Sequence, residues 1–275
     1  PHIIYVTSER ETGRFTIYEY DLRTQKLGAV VFEHPKYEVP ALRTSRVDGR
    51  LLSVSYIEDR PVTKFIDSEY RELWEPIHRE FPDKRLKVVS TDRNERLSIF
   101  VVSADDSPPV YYKLDHLTGD HSRLFKAWPD LDGQPLSKME PIRFQSRDGL
   151  EIHGYVTRPV RANGPTATIV FPHNGPLARN YQGWDIYVQF LASRGFTVFQ
   201  LNHRGSIGYG RKFREAGYKE LGRGIQNDIS DGVRWLIEQG IADPTRIGIF
   251  GIGYGGYAAL HGLTSTPELY AAGAS

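Results

Sequence analysis

The spacing of hydrophobic and polar residues changes character near the middle of the chain. Up to about residue 135, apolar residues come in short runs rich in β-branched and aromatic types, separated by polar turns. Beyond about residue 140, β-type runs alternate with segments of helical spacing. The clearest of these is Ile225–Gln239, where Ile225, Ile229 and Val233 recur every four residues. The two patterns predict an all-β region followed by an α/β region.

The first region contains a weak internal repeat. Asp21, Asp67 and Asp115 each follow a β-type run, and they lie 46 and 48 residues apart. Each unit is predicted to hold two strands, an Asp turn and a closing strand. Repeats of this length made of strands are typical of β-propeller blades, although a plain antiparallel meander is the alternative. Propellers usually close with roughly 4–8 blades. We therefore expect residues 1–135 to be the C-terminal blades of an incomplete propeller.

The second region predicts a mostly parallel sheet with helices on both faces. A proline-rich linker, Trp128–Pro141, precedes it. The predicted strands are Ile142–Phe144, Leu150–Thr157, Thr166–Pro172, Phe196–Leu201 and Arg246–Phe250, and the predicted helices are Ile186–Ser193, Ile225–Gln239 and Tyr254–Leu263. Ligand sites in such sheets lie at the carboxyl ends of the strands. Glycine-rich loops occur there at 171–176, 201–210 and 251–256.

The loop G-I-G-Y-G-G at 251–256 has two interpretations. One is the nucleophile elbow, G-x-S-x-G, which holds a strained residue at the tip of an α/β-hydrolase sheet. The other is the dinucleotide fingerprint, which Gly251, Gly253 and Gly256 satisfy. That fingerprint should open the first βα unit and be followed about 20 positions on by an acidic residue ending the next strand. Here several βα elements come first, and Glu268 precedes any new strand. Dinucleotide binding is the remote alternative.

Composition narrows the functional classes. The net charge of +1 over 275 residues gives no basic surface for nucleic acid or an anionic membrane. No apolar run is long enough to span a bilayer. The absence of cysteine excludes disulfides and thiolate metal sites and is compatible with a cytoplasmic location. We expect no cofactor and no metal. The chain begins at Pro1, so we expect it to start within a longer protein.

Five segments, taken in order, resemble the prolyl oligopeptidase family of serine peptidases, particularly its acylaminoacyl-peptidase and dipeptidyl-peptidase-like branch. They are R-D-G-L-E-I-H-G-Y at 147–155, H-N-G-P at 173–176, N-H-R-G-S-I-G-Y-G at 202–210, D-P-T-R-I-G-I-F-G at 243–251 and Y-G-G-Y-A at 254–258. The resemblance implies the N-terminal part of an α/β-hydrolase catalytic domain at 136–275, after propeller blades at 1–135. It also implies hydrolysis of short peptides through an acyl-enzyme.

The resemblance assigns roles to three positions. Backbone N–H groups of Gly175 and Tyr254 are expected to form the oxyanion hole. Asn174 replaces the first of the family's paired glycines beside Gly175. Position 253 is the nucleophile, where the family has serine and this chain has glycine. We therefore expect the chain to be inactive. His261 lies eight residues along the helix, about 12 Å away, so it cannot be the base. Two hypotheses stay open: an inactivating substitution in an active peptidase, or a natural pseudoenzyme that binds peptides or a protein partner.

Overall fold

The structure, a computed structural model, describes residues 2–275. The chain divides into two compact units, unit 1 (Pro1–Gln134) and unit 2 (Pro135–Ser275). Each unit contains its own buried hydrophobic clusters. None of the helices within residues 2–275 is long and apolar enough to cross a bilayer.

Unit 1 consists of three antiparallel sheets, each formed by strands consecutive in sequence. The sheets contain β1 (Ile3–Ser8), β2 (Thr16–Asp21) and β3 (Lys26–Phe32); β4 (Ala41–Thr44), β5 (Leu51–Ile57) and β6 (Pro61–Phe65); and β7 (Arg85–Thr91), β8 (Leu97–Ala104), β9 (Ser107–Asp115) and β10 (His121–Lys126). Asp21 and Asp115 are the last residues of β2 and β9, where the turns of the β2–β3 and β9–β10 hairpins begin. Their carboxylates accept hydrogen bonds from the N–H groups of Arg23 (2.7 Å) and Leu117 (2.9 Å). These two predicted Asp turns are confirmed.

The closing strand predicted after Asp67 is wrong, because a helix, α1 (Ser68–Glu80), follows. Asp67 is its N-cap, and the carboxylate accepts a hydrogen bond of 2.8 Å from the N–H of Tyr70. Tyr70, Trp74 and Ile77 recur at helical spacing and are buried. An aspartate that opens a turn and one that caps a helix look alike in sequence. The apolar residues after Asp67 recur every three to four residues, and this spacing favours the helix.

Unit 2 is built on one six-stranded mixed sheet in the order β11-β12-β14-β13-β15-β16. The strands are β11 (Met139–Gln145), β12 (Glu151–Thr157), β13 (Thr166–Val170), β14 (Thr197–Asn202), β15 (Ala242–Phe250) and β16 (Ala272–Ala274). The helices are α2 (Ile186–Ser193), α3 (Arg211–Glu215), α4 (Gly224–Glu238) and α5 (Tyr254–Ser265). Every strand and helix predicted after the linker is present, whereas α3 was missed. The pairings of β13 with β14 and β15, and of β15 with β16, are parallel, and those of β12 are antiparallel.

Both faces of this sheet are covered, as predicted. Neighbouring residues of one strand enter different clusters, as Val198 and Phe199 of β14 do. Val198 packs with Val188 of α2, whereas Phe199 packs with Val233 of α4. Because successive strand residues point to opposite faces, α2 and α4 lie on opposite sides of the sheet.

A buried ion-pair network fixes the loop that follows β14. The guanidinium of Arg204 donates to the fully buried carboxylate of Asp228 on α4, through Nε (2.9 Å) and Nη2 (2.7 Å). It also donates to Asp148 in the β11–β12 turn, at 2.7 and 3.0 Å. The hydrogen bonds to Asp228 and Asp148 raise the pKa of Arg204, and the bond from Arg204 lowers the pKa of Asp148. Arg204 therefore ties three separate segments together, which supports a structural role.

We expect Asp228→Asn to lower the free energy of unfolding by about 3 kcal/mol, near the lower end of the range for breaking a buried ion pair. The cost stays at that end because Asp148 still pairs with Arg204. Urea unfolding measures the change. The matched control is Glu268→Gln, which removes an exposed pair with Arg234 (3.7 Å) and should change stability by less than about 0.5 kcal/mol. Equal losses in both variants would contradict the structural role of the network.

Candidate active site at the glycine elbow

The connection from β15 to α5, Gly251–Gly256, is named here the glycine elbow. Gly253 lies at its tip, exposed to solvent, and is the N-cap of α5. Its backbone angles are φ 58° and ψ −120°, a conformation that strains any residue with a side chain. Glycine adopts this conformation without that cost. Positions at which a side chain would be strained are typical of functional sites.

The other glycines of the elbow allow close packing. A Cβ atom on Gly251 would overlap the carbonyl group of Gly255 and lie 2.6 Å from the nitrogen of Gly256. A Cβ atom on Gly255 would overlap the carbonyl oxygen of Pro172, in the loop after β13. The end of β15, the first turn of α5 and this loop therefore meet with no room for side chains.

The loop after β13 is held from within by His173. Its Nδ1 donates to the carbonyl oxygen of Gly175 (2.7 Å), so its Nε2 accepts a hydrogen bond from the Ser206 hydroxyl (2.9 Å) in the neutral ring. Its ring stacks on that of His203, with 4.4 Å between the centroids. Gly175 has a φ of 100°, which favours glycine there.

Burial keeps both histidines neutral. It lowers the pKa of His173 to about 3, with the neighbouring His203 acting in the same direction. Burial likewise lowers the pKa of His203, whose Nδ1 donates to the carbonyl oxygen of Arg204 (2.7 Å). Within residues 2–275, His203 Nε2 has no hydrogen-bond partner. Neither ring is therefore available at neutral pH as a charged group, and His173 serves to hold the loop in shape.

Asn174 meets Gly253 directly. A Cβ atom on Gly253 would overlap Oδ1 of Asn174 and lie 3.0 Å from its Cγ and 3.5 Å from its Nδ2. In the sequence, Asn174 stands out only as a departure from paired glycines, and its contact with Gly253 was not predicted. The sequence did contain one indication of this contact: positions 174 and 253 both differ from the family pattern, and both lie in loops at the same edge of the sheet.

The two residues predicted to form the oxyanion hole flank this contact. Gly175 follows Asn174, and Tyr254 follows Gly253 as the first residue of α5. The ring of Tyr254 lies edge-on to that of His203, 5.6 Å away, and burial raises the pKa of its hydroxyl. The structure thus brings the two loops together, and the roles of Gly175, Gly253 and Tyr254 stay predictions.

A cavity of about 210 Å³ opens beside the elbow, which is room for a single side chain. Its walls are the loop after β13, the region before α2 and the exposed Ile252 of the elbow. They mix aromatic and polar groups: Phe171, Asn174, Asn180, Asp185, Tyr187 and Gln200. The Asp185 carboxylate is occupied in capping α2, where it accepts from Tyr187 N (2.9 Å) and Val188 N (3.2 Å). These residues were not predicted from the sequence, because the cavity forms between segments that are distant in sequence.

Comparisons with known proteins agree with this architecture. Residues 182–275 match the sequence model of the prolyl oligopeptidase family. The chain is 32% identical to dipeptidyl aminopeptidase BIII of Pseudoxanthomonas mexicana, over 98% of this chain and 40% of that protein. It is 27% identical to the acylamino-acid-releasing enzyme of Sus scrofa, over 50% of this chain and 19% of that protein. The chain thus spans less than half the length of these relatives.

Solved structures show the same likeness. A puromycin-hydrolyzing peptidase of Mycobacterium tuberculosis matches with a TM-score of 0.75 and 24% identity, over 99% of this chain and 43% of that one. The acylaminoacyl peptidase of Pyrococcus horikoshii matches with a TM-score of 0.71 and 25% identity, over 99% and 42%. Unit 2 has the hydrolase-domain fold of these peptidases. The chain belongs to the prolyl oligopeptidase family, a family of serine peptidases, and the predicted membership is confirmed.

We expect the free energy of unfolding to fall as the pH drops below about 6.5. The reason is that His173 binds a proton below that pH in the unfolded chain, whereas its pKa in the folded protein is about 3. In His173→Gln this contribution is absent, so stability should depend less steeply on pH. Urea unfolding of both proteins between about pH 4.5 and 7.5 compares the slopes. Equal slopes would show that His173 titrates normally in the folded protein.

Proposed function

We propose that unit 2 carries part of a serine-peptidase active site in which Gly253 stands at the nucleophile position, so that the site binds short peptides without cleaving them. The observation that supports this best is the exposed backbone of Gly253 at a strand–helix connection, in a conformation that would strain a serine. A serine there would project from the tip of the elbow. Glycine has no group that could attack a carbonyl.

Short peptides are the proposed ligands because of the relatives. They include a dipeptidyl aminopeptidase and acylamino-acid-releasing enzymes, whose names describe action near the end of a peptide chain. The cavity beside Ile252 and Asn174 has room for one side chain of such a peptide. Since the chain spans only part of these relatives, the substrates of the whole protein are part of the proposal.

Two backbone donors are proposed to stabilise charge on the acyl oxygen. With a serine at 253, attack of its hydroxyl on the carbonyl carbon would place negative charge on that oxygen. The N–H of Gly175 and that of Tyr254 lie on the two loops that meet at Gly253, and neither makes a hydrogen bond to a described residue. The acid and histidine that follow Gly253 within residues 2–275 are engaged elsewhere. Glu268 pairs with Arg234 (3.7 Å), and His261 bonds Ser265 (3.0 Å) on the same helix.

The position of the acidic residue argues against the dinucleotide alternative. Gly251 and Gly256 have no room for a Cβ atom, but both the elbow and the fingerprint require such close packing, so the glycines do not separate the two. Glu268 lies in a short 3-10 turn, Pro267–Leu269, before β16, where it does not end a strand. A nicotinamide or flavin cofactor thus lacks the acidic partner for its ribose.

For unit 1 we propose blades of a β-propeller. Three sheets in succession, each of three or four antiparallel strands consecutive in sequence, support this assignment. The helix α1 between the second and third sheets is an addition to that pattern.

We expect Gly253→Ser, made in the full-length protein, to react with a fluorophosphonate probe at residue 253, whereas the unchanged protein does not react. The reason is that only the nucleophile is added, and the elbow and both donors stay in place. Mass spectrometry of the labelled peptide identifies the position. Gly253→Ala is the control, because it adds the same backbone strain without a hydroxyl and should stay unlabelled. A folded serine variant that neither labels nor hydrolyses peptides, even with Asn174→Gly added to clear the space at 253, would overturn the proposal.

We expect Gly175→Ala, combined with Gly253→Ser, to lower turnover by at least about 10²-fold, the scale for loss of one oxyanion donor. A Cβ atom at Gly175 has room, with Ala178 Cβ 3.8 Å away, so the φ of 100° is what must change. Gly164→Ala is the matched control: it also has positive φ, at 83°, with open space around it. Steady-state kinetics should separate the two, and equal turnover in both would remove Gly175 from the site.

A further inference from the structure

The side chain of Asn174 occupies the space that a nucleophile at position 253 would need. A Cβ atom on Gly253 would overlap the Oδ1 of Asn174 and lie in tight contact, 3.0 Å, with its Cγ. Because these atoms end an exposed side chain, rotation of Asn174 can relieve the overlap. The ideal Cβ position on Gly253 depends on backbone atoms alone. Any side chain introduced there therefore meets Asn174, whatever its own rotamer.

The backbone around Asn174 cannot easily retreat. His173, the residue before it, is buried and hydrogen-bonded to Ser206 (2.9 Å) and to the carbonyl of Gly175 (2.7 Å). Pro172 is packed against Gly255 so closely that no Cβ fits between them. The main chain on the N-terminal side of Asn174 is thus fixed to the elbow itself. What remains free to move is the side chain, which is exposed.

We propose that Asn174 and Gly253 form a coupled pair, in which the carboxamide of Asn174 fills the nucleophile's place and would hold a serine at 253 away from its working position. This inference rests on the proposed function of the site. Asn174 is here a positioning residue, because it acts through the side chain at 253. The site regains an unobstructed nucleophile only when both positions change.

The side chain of Asn174 and a serine at position 253 compete for the same volume, and this competition limits the reactivity of the serine. In Gly253→Ser, the hydroxyl reacts only in the fraction of molecules in which Asn174 has rotated away. We expect Gly253→Ser with Asn174→Gly to label at least about tenfold faster with fluorophosphonate than Gly253→Ser alone, a difference of about 1.4 kcal/mol. Asn174→Leu has similar size without hydrogen-bonding groups, so it should leave the labelling of Gly253→Ser slow.

The first measurement is the second-order labelling rate of these three variants in the full-length protein. Equal rates for the serine variant with and without Asn174→Gly would overturn the coupling while leaving the proposed function intact. Fast labelling with Asn174→Leu would overturn the steric cause. If every folded serine variant stays unlabelled, the proposed function fails, and the coupling is decided by stability alone.

That second measurement is a double-mutant cycle on unfolding in urea. Gly253→Ala adds only a Cβ atom, and its backbone strain is the same whatever stands at position 174, so that cost cancels. We expect Gly253→Ala to lower the denaturation midpoint further in the natural Asn174 background than in the Asn174→Gly background. Equal losses in both backgrounds would show that the two residues do not compete for space.

Discussion

The close approach of three backbone segments at the glycine elbow is the constraint on which the site depends. The end of β15, the start of α5 and the loop after β13 meet where Gly251 and Gly255 have no room for a Cβ atom. The approach forces the chain through the sharp turn at Gly253 and brings the loop with Asn174 and Gly175 against it. A methyl group at Gly255 would push the loop after β13 away from α5, and one at Gly251 would push the end of β15 away from the first turn of α5.

Buried polar groups stabilise the loops around that contact. His173 stays neutral and bridges its own loop to Ser206, while Arg204 joins the same region to α4 and to the β11–β12 turn. Each group is buried with hydrogen-bonding partners, as the cost of desolvation demands. The loops at this edge of the sheet are thus fixed by specific partners and do not rely on apolar packing alone.

Much of unit 2 could be predicted from the sequence, because its apolar runs and helical segments are long and bounded by glycine and proline. The helix α2, for example, has the predicted bounds, whereas β15 begins four residues before the predicted strand. In unit 1 the pattern was weaker, and α1 was missed because Asp67 fits a turn as well as an N-cap. The contact of Asn174 with Gly253 was beyond the sequence, since it depends on how two loops far apart in the chain meet in space.

The occupied space above Gly253 also bears on how the chain can change during evolution. A codon change that places serine at this position alone creates a hydroxyl that competes for space with the side chain of Asn174. The converse change at Asn174 alone only empties the space and provides no chemistry. Under the roles proposed for positions 174 and 253, a chain with asparagine and glycine there gains a free nucleophile only when both positions change, so single substitutions do not reach it.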